Sequence, residues 1–300
     1  MELRVLQYFL VVAREENITR AASLLHITQP TLSRQLMQME EELGVKLFHR
    51  GKHSILLTEE GMLLRRRAQE IVDLTEKTIK ELKHQEDTVS GEISIGCGET
   101  KNMKPLSEMI VSFQQKYPDV SFNIYTAIAD DVKERLENGI LDMGLLLEPV
   151  EVSRYHYVRM PLKEKWQALM RKDSALAKKE RITPKDLAGK PLIVAKRESV
   201  RNELENWFGH DGEKLHVALT CNLSHNNQSV MVENGIGTAV VMEFAYNHDT
   251  LCLRPLEPEI VSGCVLVWKK NLMLSPAMTR FIGHIWEWLD QSCKTGISKD

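Results

Sequence analysis

The strongest constraint on this chain is a single change of hydrophobic period near residue 90. Before it, apolar residues recur every three or four positions, the repeat of one helical face. Beyond it, short apolar runs alternate with helical stretches, the pattern of strands and helices in turn. Leu3, Leu6, Leu10 and Ala13 form one stripe with Val5, Phe9 and Val12 beside it, and Ala21, Ala22 and Leu25 form a second, shorter face closed by His26 and Ile27. Thr28 can cap a third helix, with Pro30 in its first turn where the missing N–H does no harm. Leu32, Leu36, Met39 and Leu43 are the buried stripe of that helix, and Gly44 is its stop. With 300 residues against roughly 100 to 200 for one domain, two or more domains are expected.

Lys46 to Thr58 is basic at its centre and apolar at Ile55 to Leu57, which suits a short two-stranded wing. A long helix follows from Thr58 to Glu86, about 43 Å at 1.5 Å per residue. Leu64, Ala68, Ile71, Thr75, Thr78 and Leu82 fall on a heptad repeat, a seam for pairing with a second copy in preference to packing within one subunit. Thr88, Ser90 and Gly91 mark the boundary. Strands are then expected at Ile93 and Ile95, Val120 to Thr126, Met143 to Leu147, Leu192 to Ala195, Thr238 to Val241 and Val265 to Trp268. Helices are expected at Lys104 to Lys116, Asp130 to Asn138, Val200 to Phe208, His225 to Asn234 and Pro276 to Gln291, which together imply α/β units with mainly parallel strands. Glu137-Asn138-Gly139-Ile140 recurs as Glu233-Asn234-Gly235-Ile236, consistent either with shared helix-stop chemistry or with two similar halves.

Composition excludes several classes. With 43% hydrophobic and 27% charged residues, the chain is neither disordered nor collagenous, and a net charge of -3 argues against a protein basic along its whole length. Cys97, Cys221, Cys252, Cys264 and Cys293 are odd in number and contain no Cys-x-x-Cys pair, so neither a disulfide framework nor a metal site is indicated. Met1 to Arg14 does not read as a secretory signal, and no segment approaches a membrane span, so a cytoplasmic location is expected.

Ala21 to Leu36 has the layout of a helix-turn-helix. Small Ala21 and Ala22 allow close approach, while Leu32 and Leu36 turn inward and leave Gln29, Pro30, Ser33, Arg34 and Gln38 outward. Gln can pair with adenine and Arg with guanine in a major groove, Pro can touch a thymine methyl, and Ser can reach phosphate or base. Asn17 to Gln38 carries Arg20 and Arg34 and no acid, a balance of +2; Gly44 to Thr58 carries Lys46, Arg50 and Lys52 and no acid, a balance of +3. The chain is acidic as a whole but basic where DNA would lie.

These residues, with Leu47-Phe48-His49-Arg50 and Leu57-Thr58, resemble the winged helix-turn-helix of LysR-type transcriptional regulators. The likeness runs on through Leu136 to Asp142, Asp186-Leu187-Ala188-Gly189-Lys190-Pro191-Leu192-Ile193 and Val232 to Gly237 in the family's order. It implies an α plus α/β fold: a winged helix-turn-helix at 1–58, a dimerising linker helix at 59–90, and an effector domain at 91–300 shaped like a periplasmic binding protein. That domain would divide into one subdomain of about 91–161 with 268–300 and another of about 162–267. The resemblance also implies a regulator of transcription, tuned by a small molecule held between the subdomains, acting as a dimer and tetramer on inverted-repeat double-stranded DNA. Carried over by position, Gln29, Pro30, Ser33 and Arg34 contact DNA, with Arg50 in the wing; Arg20, Thr28, Thr31, Gln38, Lys52 and His53 complete the expected interface. Two residues depart from the family pattern: His53 where Arg is usual, and Met242 where a Pro is usual.

Ligands of doubly wound domains sit beyond strand C-termini, here the loops Gly98 to Met103, Ala127 to Ala129, Lys196 to Ser199 and Ser224 to Gln228. By resemblance the first is the main binding loop, with Thr100, Lys101 and Asn102, joined by Ile128 and by Lys196, Arg197 and Ser199 from the other subdomain. Two cations near helix N-termini favour an anionic effector. The hinge is expected near Val158 to Leu162 and Cys264 to Lys269.

No constellation suits catalysis. The histidines are scattered, with His225 and His284 read as packing or surface residues; Gly96-Cys97-Gly98 reads as a strand-to-helix turn, and Cys252 and Cys264 as buried structural thiols. No cofactor is expected. The rival reading is a cytoplasmic small-molecule-binding protein of the same α/β fold without DNA binding.

Overall fold

The structure is a computed structural model describing residues 2–50, 55–83, 89–209, 215–222, 225–243, 249–270 and 274–294. The chain divides into two compact units, Met1–Gln85 and Glu86–Asp300.

The first unit contains α1 (Leu3–Glu15), α2 (Ile18–Leu24), α3 (Gln29–Leu43), a two-stranded wing of β1 (Phe48–Arg50) and β2 (Ile55–Leu57), and α4 (Glu59–Lys83). Phe9, Val12, Ala21, Leu32 and Leu36 are sealed in its core, and Phe9 meets Phe48 of the wing at 5.3 Å between ring centroids. Local chemistry sets the helix ends: the Asn17 side chain accepts the Arg20 N–H at 2.9 Å, and Gly44 takes a left-handed φ of 69° that stops α3.

Buried Glu40 fastens the wing to α3. Its carboxylate accepts the N–H groups of Leu47 and Phe48 at 2.8 and 3.3 Å and the Lys46 ammonium at 3.2 Å. Thr58 closes the other side, donating to the Lys46 carbonyl at 2.7 Å and accepting the Gly61 N–H at 2.9 Å. A Cβ on Gly61 would stand 2.1 Å from the Leu47 carbonyl oxygen, so no other residue lets α4 start there.

The structure splits the predicted seam of α4. Leu64 and Ala68 pack with Val72 into the unit's own core, and the Thr75 and Thr78 hydroxyls bond back to the carbonyls of Ile71 and Leu74. Ile71 of the seam stays exposed, and with Leu63 and Leu74 beside it forms an outward apolar stripe. At about 100° per residue these lie with Arg67 and Thr78 inside an arc of about 80°.

The second unit is built from β3 (Gly91–Cys97), α5 (Met103–Lys116), β4 (Val120–Thr126), α6 (Ala129–Glu137), β5 (Met143–Leu147) and β6 (Tyr155–Arg159). There follow β7 (Glu164–Arg171), α7 (Pro184–Leu187), β8 (Leu192–Ala195), α8 (Glu198–Phe208), β9 (Val217–Cys221), α9 (His225–Glu233) and β10 (Thr238–Met242). The chain then forms β11 (Leu251–Pro255), β12 (Val261–Ser262), β13 (Cys264–Lys269) and α10 (Pro276–Lys294).

One sheet runs β4-β3-β5-β13-β6 and the other β11-β7-β10-β8-β9, with β12 also pairing β7. Each holds three parallel strands, but β13 is antiparallel to β5 and β6, and β7 is antiparallel to β10, β11 and β12. The sheets are therefore more mixed than the expected parallel arrangement. The two Glu-Asn-Gly-Ile copies occupy matching places, the links from α6 to β5 and from α9 to β10, with Gly139 and Gly235 at φ of 73° and 81°. Chain crosses between the sheets after β6, at 160–163, and again at Gly263 before β13.

Gly96 lies within β3 and not in a turn, opposite Gly144 of β5. A Cβ on Gly96 would come within 2.6 Å of Val132 and Leu141, and one on Gly144 within 2.9 Å of Leu136. The glycine pair is the floor on which α6 rests.

Candidate DNA-reading face and ligand cleft

On α3, burial of Leu32 and Leu36 forces the opposite side outward: Gln29, Pro30, Thr31, Arg34 and Gln38 are exposed and Ser33 is partly so. Thr28 and Thr31 work first for the helix, since the Thr28 hydroxyl accepts the Thr31 N–H at 3.4 Å and lies 2.8 Å from the Thr31 hydroxyl. Gln38 reaches Glu42 at 3.4 Å. The Arg34 guanidinium makes no ion pair or hydrogen bond among the described residues. Arg20 differs, because its guanidinium pairs with Glu15 at 2.6 Å and donates to the Glu15 carbonyl at 2.7 Å. The +2 balance read from Asn17 to Gln38 therefore leaves Glu15 out of account. Arg50 ends β1, while Lys52 and His53 lie outside the described residues. Exposed Met37 also lies on the outer face, an apolar residue that a polarity pattern does not flag.

In the second unit a cavity of about 140 Å³ opens where the C-terminal ends of β3, β5, β8 and β10 meet. Ile128, Leu145, Leu146, Leu147, Trp166, Ala195, Val200, Val240 and Met242 make most of its wall; Glu99, Thr100, Arg197, Asn222 and Gln228 are its polar members. The Trp166 ring is fixed by its N–H, which donates to the Ser262 hydroxyl at 3.0 Å.

The polar groups of the first loop are held by the protein itself. Thr100 donates to Glu164 Oε1 at 2.5 Å, the Lys101 N–H donates to the same oxygen at 2.9 Å, and Asn102 Nδ2 reaches it at 3.2 Å. Asn102 is fully buried and not part of the cavity wall; it also donates to the Leu162 carbonyl at 2.8 Å and accepts the Leu162 N–H at 3.0 Å. Lys101 forms an ion pair with Glu243 at the end of β10. Glu164, on the first strand after the crossing, was invisible to sequence reasoning because nothing near it hints at partners some sixty residues away.

Of the second subdomain's expected residues, Arg197 lines the cavity and caps α8, which begins two residues earlier than expected. Its guanidinium donates to the carbonyls of Leu147 and Pro149 at 3.2 and 2.9 Å. Burial pushes its pKa down, opposed by the nearby Asp130 carboxylate. Lys196 is exposed and does not line the cavity. Ser199 instead lines an adjoining open cavity of about 400 Å³ with Asp130, Glu151, Glu198 and Arg197.

No His, Cys, Asp or Glu cluster able to hold a metal occurs among the described residues. Burial pushes up the thiols of Cys97, Cys221 and Cys264, the last to about 12, which leaves them protonated and weak as nucleophiles. His284 is buried with its ring 5.5 Å from Phe113 and Nε2 2.8 Å from the Ser112 hydroxyl, a packing residue between α5 and α10.

A helix-turn-helix with an outward basic face, on one chain with a two-sheet domain enclosing a cavity, defines a ligand-responsive regulator of transcription. The chain belongs to the LysR family of bacterial regulators. The model described as "Bacterial regulatory helix-turn-helix protein, lysR family" matches residues 3–62 and the LysR substrate binding domain matches residues 86–290. The uncharacterized HTH-type transcriptional regulator YybE of Bacillus subtilis (strain 168) is 33% identical over 291 residues, covering 95% of this chain and 98% of its own. The crystal structure of CbnR, a LysR family transcriptional regulator, superposes with a TM-score of 0.75 at 20% identity, over 96% of this chain and 99% of that one. Full-length CbnR complexed with its target DNA gives 0.72 at 20% identity, over 96% and 100%. No described helix is long and apolar enough to cross a membrane.

Proposed function

We propose that α3 reads operator DNA through Gln29, Pro30, Ser33 and Arg34, with Thr28, Thr31 and Gln38 at the edges of the face. Arg20, Arg50, Lys52 and His53 grip the flanking backbone, and Arg20 does so while paired to Glu15. The observation that carries this reading is Arg34: exposed and without a partner among the described residues, it stands one turn beyond Pro30 on a helix whose other side is sealed by Leu32 and Leu36. A guanidinium so placed matches the two acceptors of guanine in the major groove.

Two copies joined along the exposed α4 stripe place two recognition helices on an inverted repeat, and pairs of dimers form the tetramer. The 140 Å³ cavity takes a small-molecule effector, and the crossings at 160–163 and Gly263 let its two walls move. Binding one arrangement of the walls better than the other shifts how the DNA heads are held. The protein works in the cytoplasm and catalyses nothing.

A nuclease footprint on DNA upstream of the coding region, taken across a salt series, tests the reading. Expected is a protected dyad with affinity falling as salt rises. Arg34→Ala is expected to weaken that site by about 1 to 3 kcal/mol per lost base contact with unchanged circular dichroism. Equal binding by parent and variant overturns the recognition-face assignment. Ile128→Trp, which fills the cavity from a loop, is expected to abolish the ligand response and leave the footprint intact.

A further inference from the structure

We infer that Met37 reads the C5-methyl group of a thymine in the operator half-site, within two base pairs of the guanine that Arg34 meets. The inference rests on α3 being the recognition helix, and adds to that reading one residue and the base it selects. Met37 is 40% exposed and takes no part in the core that α3 shares with α1, α2 and the wing. At about 100° per residue, Pro30, Arg34, Met37 and Glu41 fall inside an arc of about 60°, opposite Leu32, Leu36 and Met39.

The chemistry of the side chain decides what it can read. The major groove presents hydrogen-bond donors, acceptors and, on thymine alone of the four bases, a methyl group. A thioether donates no hydrogen bond and accepts only weakly, so Met37 has nothing strong to offer the polar base edges or a phosphate. It offers instead a flexible, unbranched apolar chain that adapts to the surface it meets. Its neighbours on the face, Gln29, Ser33, Arg34 and Gln38, are all polar. The methyl is therefore the group in the groove against which Met37 gains by excluding water.

Position narrows the base. Met37 stands three residues beyond Arg34, about 4.5 Å along the helix axis at 1.5 Å per residue, and successive base pairs lie about 3.4 Å apart. The pair adjoining Arg34's guanine and the next one are within its reach. Glu41 follows one turn later on the same arc, exposed and near the C-terminal end of α3. Its charge and the negative end of the helix dipole both repel phosphate, so the reading part of the face ends at Met37 and Gln38. Pro30 lies about 10.5 Å before Met37 along the axis, so a methyl that Pro30 touches belongs to a different base.

Selection from a random duplex pool by the full-length protein supplies the operator, and replacing its thymines one at a time by deoxyuridine removes a single methyl without changing base pairing. In anisotropy titrations, loss of the methyl at one thymine is expected to weaken the parent about fourfold, some 0.8 kcal/mol, and to leave Met37→Ala unaffected. Met37→Leu, which keeps an apolar chain, is expected to retain the penalty. That thymine should lie within two base pairs of the guanine whose replacement by 7-deazaguanine weakens the parent but not Arg34→Ala. A thymine read by Pro30 is told apart because its penalty persists in Met37→Ala. If every thymine penalty of the parent persists in Met37→Ala, the inference is overturned, while weaker binding by Arg34→Ala still upholds the recognition face. If the parent selects no sequence, or Arg34→Ala binds the selected duplex as tightly as the parent, the recognition face and the inference fail together.

Discussion

Thr100 and Glu164 stand 64 residues apart in the chain and meet at 2.5 Å, hydroxyl to carboxylate, across the two sheets of the second unit. The same carboxylate oxygen takes the Lys101 N–H and the Asn102 amide, so one buried acid ties the β3 to α5 loop to the strand that opens the second sheet.

Removing that acid strands three donors in a dry place. Glu164→Ala is expected to lower stability by roughly 3 kcal/mol, in the range for leaving several buried donors unsatisfied. Glu164→Gln keeps an acceptor oxygen and is expected to cost less. Thermal melts of the three proteins check the order, and equal melting temperatures would refute the tie.

Glu40 offers a parallel case in the first unit. Glu40→Ala is expected to leave the Leu47 and Phe48 N–H groups unpaired, cost about 2 kcal/mol, and loosen the wing while α3 stays folded. Hydrogen exchange should quicken at Leu47 and Phe48, with α3 protected as before.

The exposed stripe of α4 and its buried face make opposite forecasts. Leu74→Glu is expected to raise the dimer dissociation constant by about tenfold or more, some 1.4 kcal/mol, with little change in the fold of one subunit. Ala68→Leu overfills a sealed site and is expected to destabilise the subunit itself by about 1 to 3 kcal/mol. Sedimentation equilibrium separates the two; loss of dimer with Ala68→Leu alone would restore the heptad seam first read from the sequence.

His284 sets a pH dependence whose sign follows from its burial. Its pKa is pushed below the ordinary 6.5, chiefly by desolvation and then by Lys116, against an opposing pull from Glu287. The unfolded chain therefore gains a proton before the folded one does. The stability tied to His284 is complete above about pH 6.5 and is lost as pH falls through the lower folded value. The melting temperature of the parent should drop more steeply over that window than that of His284→Gln.

Protonated thiols predict indifference to alkylation. Near neutral pH, iodoacetamide should leave Cys97 and Cys264 unmodified in the native protein and label both after unfolding. Rapid native labelling of either would contradict that burial.

What the sequence disclosed follows the range of the forces involved. Met143–Leu147, Val120–Thr126 and Leu192–Ala195 were legible because apolar runs bounded by helix stops carry their own signal. Glu164–Arg171 was missed: it opens on an acid, interleaves Lys165 and Gln167 with its buried residues, and earns its strand geometry only by pairing with three distant partners. Val217–Cys221 is an edge strand with mostly exposed side chains and little pattern of its own. The α3 face could be read from a 3.6-residue period alone. Asn102 and Lys101 were noticed as polar loop residues, but their occupation by Leu162, Glu164 and Glu243 depends on contacts that no local pattern encodes.

The placement of β13 bears on how the chain is made. This strand lies between β5 and β6, yet it follows them by more than a hundred residues, all of them spent on the second sheet. While a ribosome is still producing that stretch, β6 has no partner strand and β5 presents an open edge, the kind of surface that recruits unwanted neighbours. A chain cut short before Cys264 would carry a finished DNA-reading head and a first sheet that cannot close.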